Sequence, residues 1–315
     1  MSDERPFDNI INFRDVGRTI NKFAGKKLLK EGVLFRSARL DEASNEDIRR
    51  LTKDMHITTV IDLRSTTEHQ MAIKKYKRAH NIPTTSPDAE PRGEEGYIHL
   101  PALEDTGATR HLISLTGKAF ERALLWRLDW WNFTKVLAYI AAGYRQDAVR
   151  IVGENVMKPA GLTGLAMDTL EASTAEIKSV FDVLSSSSSP GAGNDSDSDS
   201  KDGAALIHCT QGKDRTGLII LLSLLLAGVV DGDVIASDYV LSEKDLENEP
   251  SEEKEERMRE IKALGLNEEY ARCPKDFTQR VTGFLGERYG SVRAYLDFVG
   301  VEEGTVERVQ RRLLA

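Results

Sequence analysis

The chain has 315 residues, 40% of them hydrophobic and 30% charged, with a formal net charge of −8 and an isoelectric point near 5.4. Length alone gives a prior of about two domains, and the acidic balance fits a soluble protein and argues against broad nucleic-acid binding while leaving room for a locally basic pocket. Two cysteines, Cys209 and Cys273, exclude a dense disulfide framework and point to a reducing compartment. The first nine residues are polar and acidic, without the charged-then-apolar pattern of a signal peptide. Residues 33–37 (Val-Leu-Phe-Arg-Ser) read as a short strand. Ser44 stands as a helix N-cap with Asp47 as its capping-box partner, and Ile48, Leu51 and Met55 follow at helical spacing. Residues 58–63 are β-branched and predict a buried strand, so a β-α-β order and an α/β fold with a largely parallel sheet are expected, helices covering both faces.

Residues 81–96, rich in Pro, Gly and charge, predict a loop, and residues 97–101 a further short strand. From 118 to 140 the pattern is helical; Trp126, Trp130 and Phe133 share one face, which predicts core packing, with a lid over the site or a membrane-facing surface as the alternatives. A second helical stretch covers 165–184. Residues 185–203 are low-complexity Ser, Gly and Asp and predict a disordered surface insertion inside a single domain spanning 1–315. The acidic Ser-Asp repeats would suit an acid-directed kinase; a tolerated insertion is the plainer reading. Residues 204–209 predict a buried strand, and 218–227 a central helix, apolar all round, with Gly228 as its C-cap. The longest apolar run, 218–230, is shorter than the roughly 20 residues needed to span a bilayer. Pro250 opens a charged helix with Glu252 and Glu253 early and Gly265 at its end; the remainder reads as helical, closing with 306–314. There is no internal repeat and no C-terminal lipidation box. The expected location is the cytoplasm, with the nucleus also open to it.

The chemistry concentrates in His208-Cys209-Thr210-Gln211-Gly212-Lys213-Asp214-Arg215-Thr216-Gly217, between the strand and the apolar helix. Five residues between Cys209 and Arg215 allow the loop to curl with backbone N–H groups converging on one centre, joined by the positive end of the following helix. Arg215 would close the rim and hold two phosphate oxygens through its planar fork. The same field would favour the Cys209 thiolate, the nucleophile such a reaction needs. Thr210, Gln211, Gly212 and Lys213 would form the phosphate cradle, Thr216 would donate to the sulfur, and His208 would order the loop. A leaving oxygen needs a proton, so Asp214 is the expected general acid, with Glu104 and Asp105 as alternatives. Lys213 would add positive charge and favour multiply phosphorylated or lipid head groups. An inert core cysteine would leave the strand, the glycine-containing loop, the Arg-Thr-Gly and the apolar helix as coincidences. A nucleotide-binding loop fails, because Asp214 follows Gly212-Lys213 and Ile207 stands where a glycine would be needed.

These residues resemble the signature of the cysteine-dependent protein tyrosine phosphatase superfamily: His-Cys, five residues, Arg. Within it the chain is most similar to the bacterial and fungal tyrosine/serine protein phosphatases of the mycobacterial secreted triple-specificity type. Asn12-Phe13-Arg14-Asp15, Leu34-Phe35-Arg36-Ser37, Ile61-Asp62-Leu63-Arg64-Ser65, Asp238-Tyr239 and Tyr289-Gly290-Ser291 also fit that branch. The resemblance implies the phosphatase fold, a phosphocysteine intermediate, no metal and no cofactor. The substrate would be a phosphorylated protein, with tyrosine or dual (Tyr/Ser/Thr) specificity, or else a phosphoinositide; an inactive phosphate-binding module is the remaining reading. A Trp-Pro-Asp acid loop is missing, while an Asp directly before the Arg resembles the myotubularin-type loop and favours Asp214. Arg14, Asp15, Asp62 and Arg64 read as structural ion pairs rather than substrate contacts. Cys273 has no evident link to Cys209.

Overall fold

Three parallel strands buried along nearly their whole length, with a fourth partly exposed at the edge, build the molecule around one sheet. The structure is a computed structural model that describes residues 7–79, 103, 105–186, 203–247, 249 and 251–315. Its strands are β1 (Arg14–Asp15), β2 (Leu34–Ser37), β3 (Ile57–Asp62), β4 (Thr109–Leu112) and β5 (Ala204–His208). They lie in the order β1-β2-β5-β3-β4, parallel except for the antiparallel edge pair β1-β2. In the central strand β5, Ala205 and Ile207 face one hydrophobic cluster while Ala204 and Leu206 face another. A parallel sheet covered on both faces demands this two-sided burial.

The larger cluster packs helix α1 (Val16–Ala24) and the C-terminal helices against the sheet. The smaller lies under α2 (Asn45–Arg49), its π-helical continuation Arg50–Asp54, and α3 (Thr66–Ala79). The predicted capping box is present: Ser44 Oγ accepts the Asp47 N–H, and Asp47 accepts the Ser44 N–H, each at 3.0 Å. Ile48 and Leu51 are buried as their spacing requires.

The strand expected at 97–101 and the loop at 81–96 lie outside the described residues. The outer neighbour of β3 is β4, a partly exposed edge strand that no apolar pattern marks. The stretch 118–140 is two helices, α4 (Lys118–Trp126) and α5 (Trp130–Ala141). Arg127 is the C-cap of the first, and Asp129 caps the second by accepting the Asn132 N–H at 3.0 Å. The core expectation for its aromatic face is overturned: Trp126 is 74% and Trp130 78% exposed, and Phe133, half-buried, stacks on Trp126 at the surface. Periodicity groups these rings correctly but says nothing about what lies against them.

Next come α6 (Arg145–Val152), α7 (Lys158–Ala172) and α8 (Thr174–Ser186), the last two parted at Ser173, whose hydroxyl donates to the Leu115 carbonyl at 2.6 Å. Ser185 and Ser186 thus close a helix instead of opening the insertion, and 187–202 lie outside the described residues. Helix α9 (Asp214–Ala227) has eleven of its fourteen residues buried and ends at Gly228 in the left-handed conformation, as predicted. It is followed by α10 (Gly232–Glu247), α11 (Ser251–Ala263), α12 (Phe277–Tyr289), α13 (Val292–Phe298) and α14 (Glu303–Leu313). Gly217 lets α9 and α10 meet: a Cβ there would lie 2.9 Å from the Tyr239 ring. Among the described residues no helix is long and apolar enough to cross a membrane.

Candidate active site

Strand β5 ends at His208 and α9 begins at Asp214, so the loop from Cys209 to Lys213 crosses the C-terminal edge of the sheet between β2 and β3. Parallel sheets place ligand crevices at this edge. Three successive loop carbonyls are drawn outward. The Arg39 N–H donates to Thr210 O at 3.1 Å, the Asn12 side-chain amide to Gln211 O at 2.8 Å, and the Arg36 guanidinium to Gly212 O at 2.7 Å. In a trans peptide the N–H points opposite to the C=O. The amides of Gln211, Gly212 and Lys213 therefore turn the other way, toward the concave side, where the N-terminus of α9 adds its dipole. Gly212 is at φ 67°, and a Cβ would come within 2.1 Å of the Ser37 carbonyl oxygen, so only glycine fits the loop against β2.

The donors are held by a buried ion cluster. Asp238, on α10, accepts from Arg36 at 2.6 Å and from Arg14 at 2.8 Å. Arg14 also donates to Asn12 Oδ1 at 2.5 Å, fixing the amide that pins Gln211. Burial would raise the Asp238 carboxyl, but the two guanidiniums bring it below the usual carboxylate range. On the opposite flank Asp62 takes Arg64 at 2.9 Å and Arg110 at 2.6 Å, and Arg64 grips Asp41 with both terminal nitrogens. Asp15 caps α1 through the Arg18 N–H and accepts the Gly32 N–H at 2.6 Å.

His208 is fully buried, its Nε2 3.5 Å from Asp62 and its Nδ1 3.3 Å from the Cys209 carbonyl. Burial, helped by the nearby arginines, outweighs the pull of Asp62 and lowers its pKa to about 4. Between about pH 6.5 and pH 4 the unfolded chain therefore takes up a proton that the native ring refuses. Stability should fall as pH drops through that window, by up to about 3 kcal/mol from this group. Urea-unfolding midpoints measured from pH 7.5 to 4.5 should slope more steeply for the wild type than for His208→Gln; parallel slopes would remove His208 as the cause.

Arg215 is held by a residue that the sequence analysis passed over. Glu68, in the first turn of α3, accepts both terminal nitrogens of Arg215 at 2.6 Å each. It also accepts the Thr210 hydroxyl at 2.5 Å and the Ser65 N–H at 2.9 Å. Burial pushes the Glu68 carboxyl up, but the Arg215 charge and these donors bring it down to about 2. Ser65-Thr66-Thr67-Glu68 is a capping-box pattern, the one sequence signal that marks this position. The Thr116 hydroxyl, just before α4, lies 3.4 Å from Arg215.

Other expected site residues are placed as follows. Cys209 is buried beneath the loop. The Thr216 hydroxyl is buried with no partner, so the expected bond to Cys209 is not made. Lys213 requires a correction: its side chain is fully buried, and its ammonium is held by backbone carbonyls instead of standing open to a bound phosphate. Its ammonium donates to the carbonyls of Tyr270 at 3.1 Å and Arg272 at 2.7 Å, so it clamps the 270–272 segment onto the loop. Asp214 is partly exposed, 3.4 Å from that ammonium. It lies beside Tyr239, whose phenol is raised well above its usual range first by burial and then by the Asp214 charge. Asp105 is exposed in a turn, and Glu104 lies outside the described residues. Both thiols are free; Cys273 is buried, and burial pushes it up to about 12.

A family model described as "Tyrosine phosphatase family" matches residues 5–315. A "Tyrosine-protein phosphatase" of Nostoc commune is 35% identical over 122 residues, 36% of this chain and 40% of that protein. The "Triple specificity protein phosphatase PtpB" of Mycobacterium tuberculosis (strain ATCC 25618 / H37Rv) is 34% identical over 125 residues, 35% of this chain and 43% of that protein. The aligned stretch thus spans less than half the length of either relative.

Proposed function

The chain belongs to the tyrosine phosphatase family, and from that premise we propose that it hydrolyses phosphate monoesters of proteins through a phosphocysteine intermediate, with tyrosine or dual (Tyr/Ser/Thr) specificity. The observation that carries this reading is the loop itself: three carbonyls pulled outward, amides turned inward above Cys209, and Arg215 locked at the rim by Glu68. The Cys209 thiolate attacks phosphorus, an S–P bond forms and the P–O ester bond breaks. Arg215 and the loop amides stabilise the equatorial oxygens, and Asp214 passes its proton to the leaving oxygen. Asp214 then takes a proton from water, which attacks phosphorus, breaks the S–P bond and releases inorganic phosphate.

Hydrolysis of an aryl phosphate should persist with chelator present and vanish in Cys209→Ser. Activity that needs a divalent metal, or that survives the substitution, would sink the mechanism. Asp214→Asn should slow alkyl phosphates far more than activated aryl phosphates, whose leaving groups need little protonation; equal losses would move the acid elsewhere, to Asp105 or Glu104. A protein substrate is favoured over a phosphoinositide because the Lys213 ammonium donates to two backbone carbonyls instead of facing a head group. A silent phosphate-binding module is disfavoured by the presence of both Cys209 and Arg215. Two unpaired thiols suit a reducing location such as the cytoplasm.

A further inference from the structure

Helices α4 to α6 break the rule that apolar helix surface is buried. Nine of the twelve residues of α5 are apolar, yet only Val136 is buried. Eight of the fourteen exposed large hydrophobic side chains among the described residues fall between 126 and 149. All three tryptophans of the chain are among them, 68–78% exposed, joined by Tyr139 and Tyr144. Patches of this kind mark interaction surfaces.

The composition selects the partner. Trp and Tyr prefer the boundary between water and acyl chains, where the ring is buried and the polar edge stays wet. Between residues 118 and 158 there are seven basic and four acidic residues, a positive surplus within a chain of net charge −8. All seven basic side chains are exposed, and the Lys135 ammonium sits over the Trp131 ring at 5.4 Å. At twelve residues, about 18 Å long, α5 is too short to span a bilayer but long enough to lie in its surface. A second copy of the chain would set the same positive faces against each other, which opposes a symmetric dimer on this surface.

We propose that the α4–α6 arm docks the protein onto anionic lipid bilayers, aromatic rings in the head-group layer and basic side chains against the lipid charge. The arm is rooted at both ends beside the phosphate loop. Thr116, before α4, touches Arg215, and Met157, after α6, accepts the hydroxyl of Tyr270, whose carbonyl holds Lys213. A docked arm therefore keeps the pocket at the membrane surface, where its substrates would be membrane-associated.

The test uses phosphatidylcholine vesicles with and without about 30 mol% phosphatidylserine, cosedimentation, and selectively excited tryptophan fluorescence, which reports on the arm alone because it holds every tryptophan. Anionic vesicles should bind the protein and shift its emission to the blue, and added salt should weaken both effects. Trp130→Ser combined with Trp131→Ser, and separately Lys118→Glu with Arg122→Glu and Arg145→Glu, should each weaken binding by at least about tenfold and leave hydrolysis of a soluble aryl phosphate unchanged. Equal binding to neutral vesicles, or no blue shift, overturns the proposal. So does a concentration-dependent dimer without vesicle binding, which would make a second copy the occupant. So does a changed KM for the soluble substrate in the tryptophan variant, which would make the arm a cover for its own pocket. Because binding needs no catalysis, repeating it with Cys209→Ser separates this proposal from the functional one.

Discussion

Glu68→Gln is expected to lower kcat/KM on aryl phosphates by about 100-fold, the scale on which misplacing a catalytic group by an ångström acts. The substitution keeps the shape of the side chain and removes the charge that holds both terminal nitrogens of Arg215 at 2.6 Å. Freed of its partner, the guanidinium samples other rotamers, so ground-state phosphate binding and transition-state stabilisation should weaken together. Inhibition by inorganic phosphate should weaken in step, while circular dichroism reports an intact fold. A folded variant with unchanged kcat/KM would show that Arg215 is positioned by something else. The pH dependence has a definite sign. With the Glu68 carboxyl at about 2, the pair contributes stability above roughly pH 4.5, and the contribution is lost as pH falls toward 2. The Gln variant should lack that acid-sensitive component.

Asp238→Asn is expected to destabilise the protein by about 3–5 kcal/mol, the range for breaking a buried ion pair from one side. For a chain of this size the melting temperature should fall on the order of 10 °C. The carboxylate serves Arg14 and Arg36 at once, and both side chains are buried. Neutralising it leaves the buried Arg36 guanidinium without a carboxylate and Arg14 with only the part-exposed Asp245. Asp245→Asn is the control: it meets Arg14 at 3.3 Å and is about one-third exposed, so solvent screens it and a loss under about 1 kcal/mol is expected. Calorimetry on both variants decides the matter, and similar losses from the two substitutions would discredit the account of Asp238.

What was legible in the sequence is what is contiguous in the chain. The strand expected at 204–209, the loop and the apolar helix expected at 218–227 carry their whole logic in about two dozen residues; the structure ends the strand at His208 and begins the helix four residues earlier, at Asp214. The Ser44 capping box was legible for the same reason. Glu68 was not, because its partner lies 147 residues away and only folding brings α3 to the loop. Lys213 was misread because a cation beside a phosphate loop invites a functional role, whereas its head group is captured by carbonyls nearly sixty residues downstream. The tryptophan helices were misread because spacing along a helix defines a face without naming what it meets.

The phosphate loop is braced by residues from opposite ends of the molecule. Asn12 reaches it from near the start of the chain and is held by Arg14, which Asp238 and Ser242 secure from more than 220 residues later. During synthesis the nucleophile and its arginine leave the ribosome before their support does. Until α10 has emerged, the carbonyls of Gln211 and Gly212 have no anchored donors to hold them outward. A nascent chain stalled near residue 230 would carry Cys209, Arg215 and Glu68 but not Asp238, the carboxylate that holds Arg14 and Arg36.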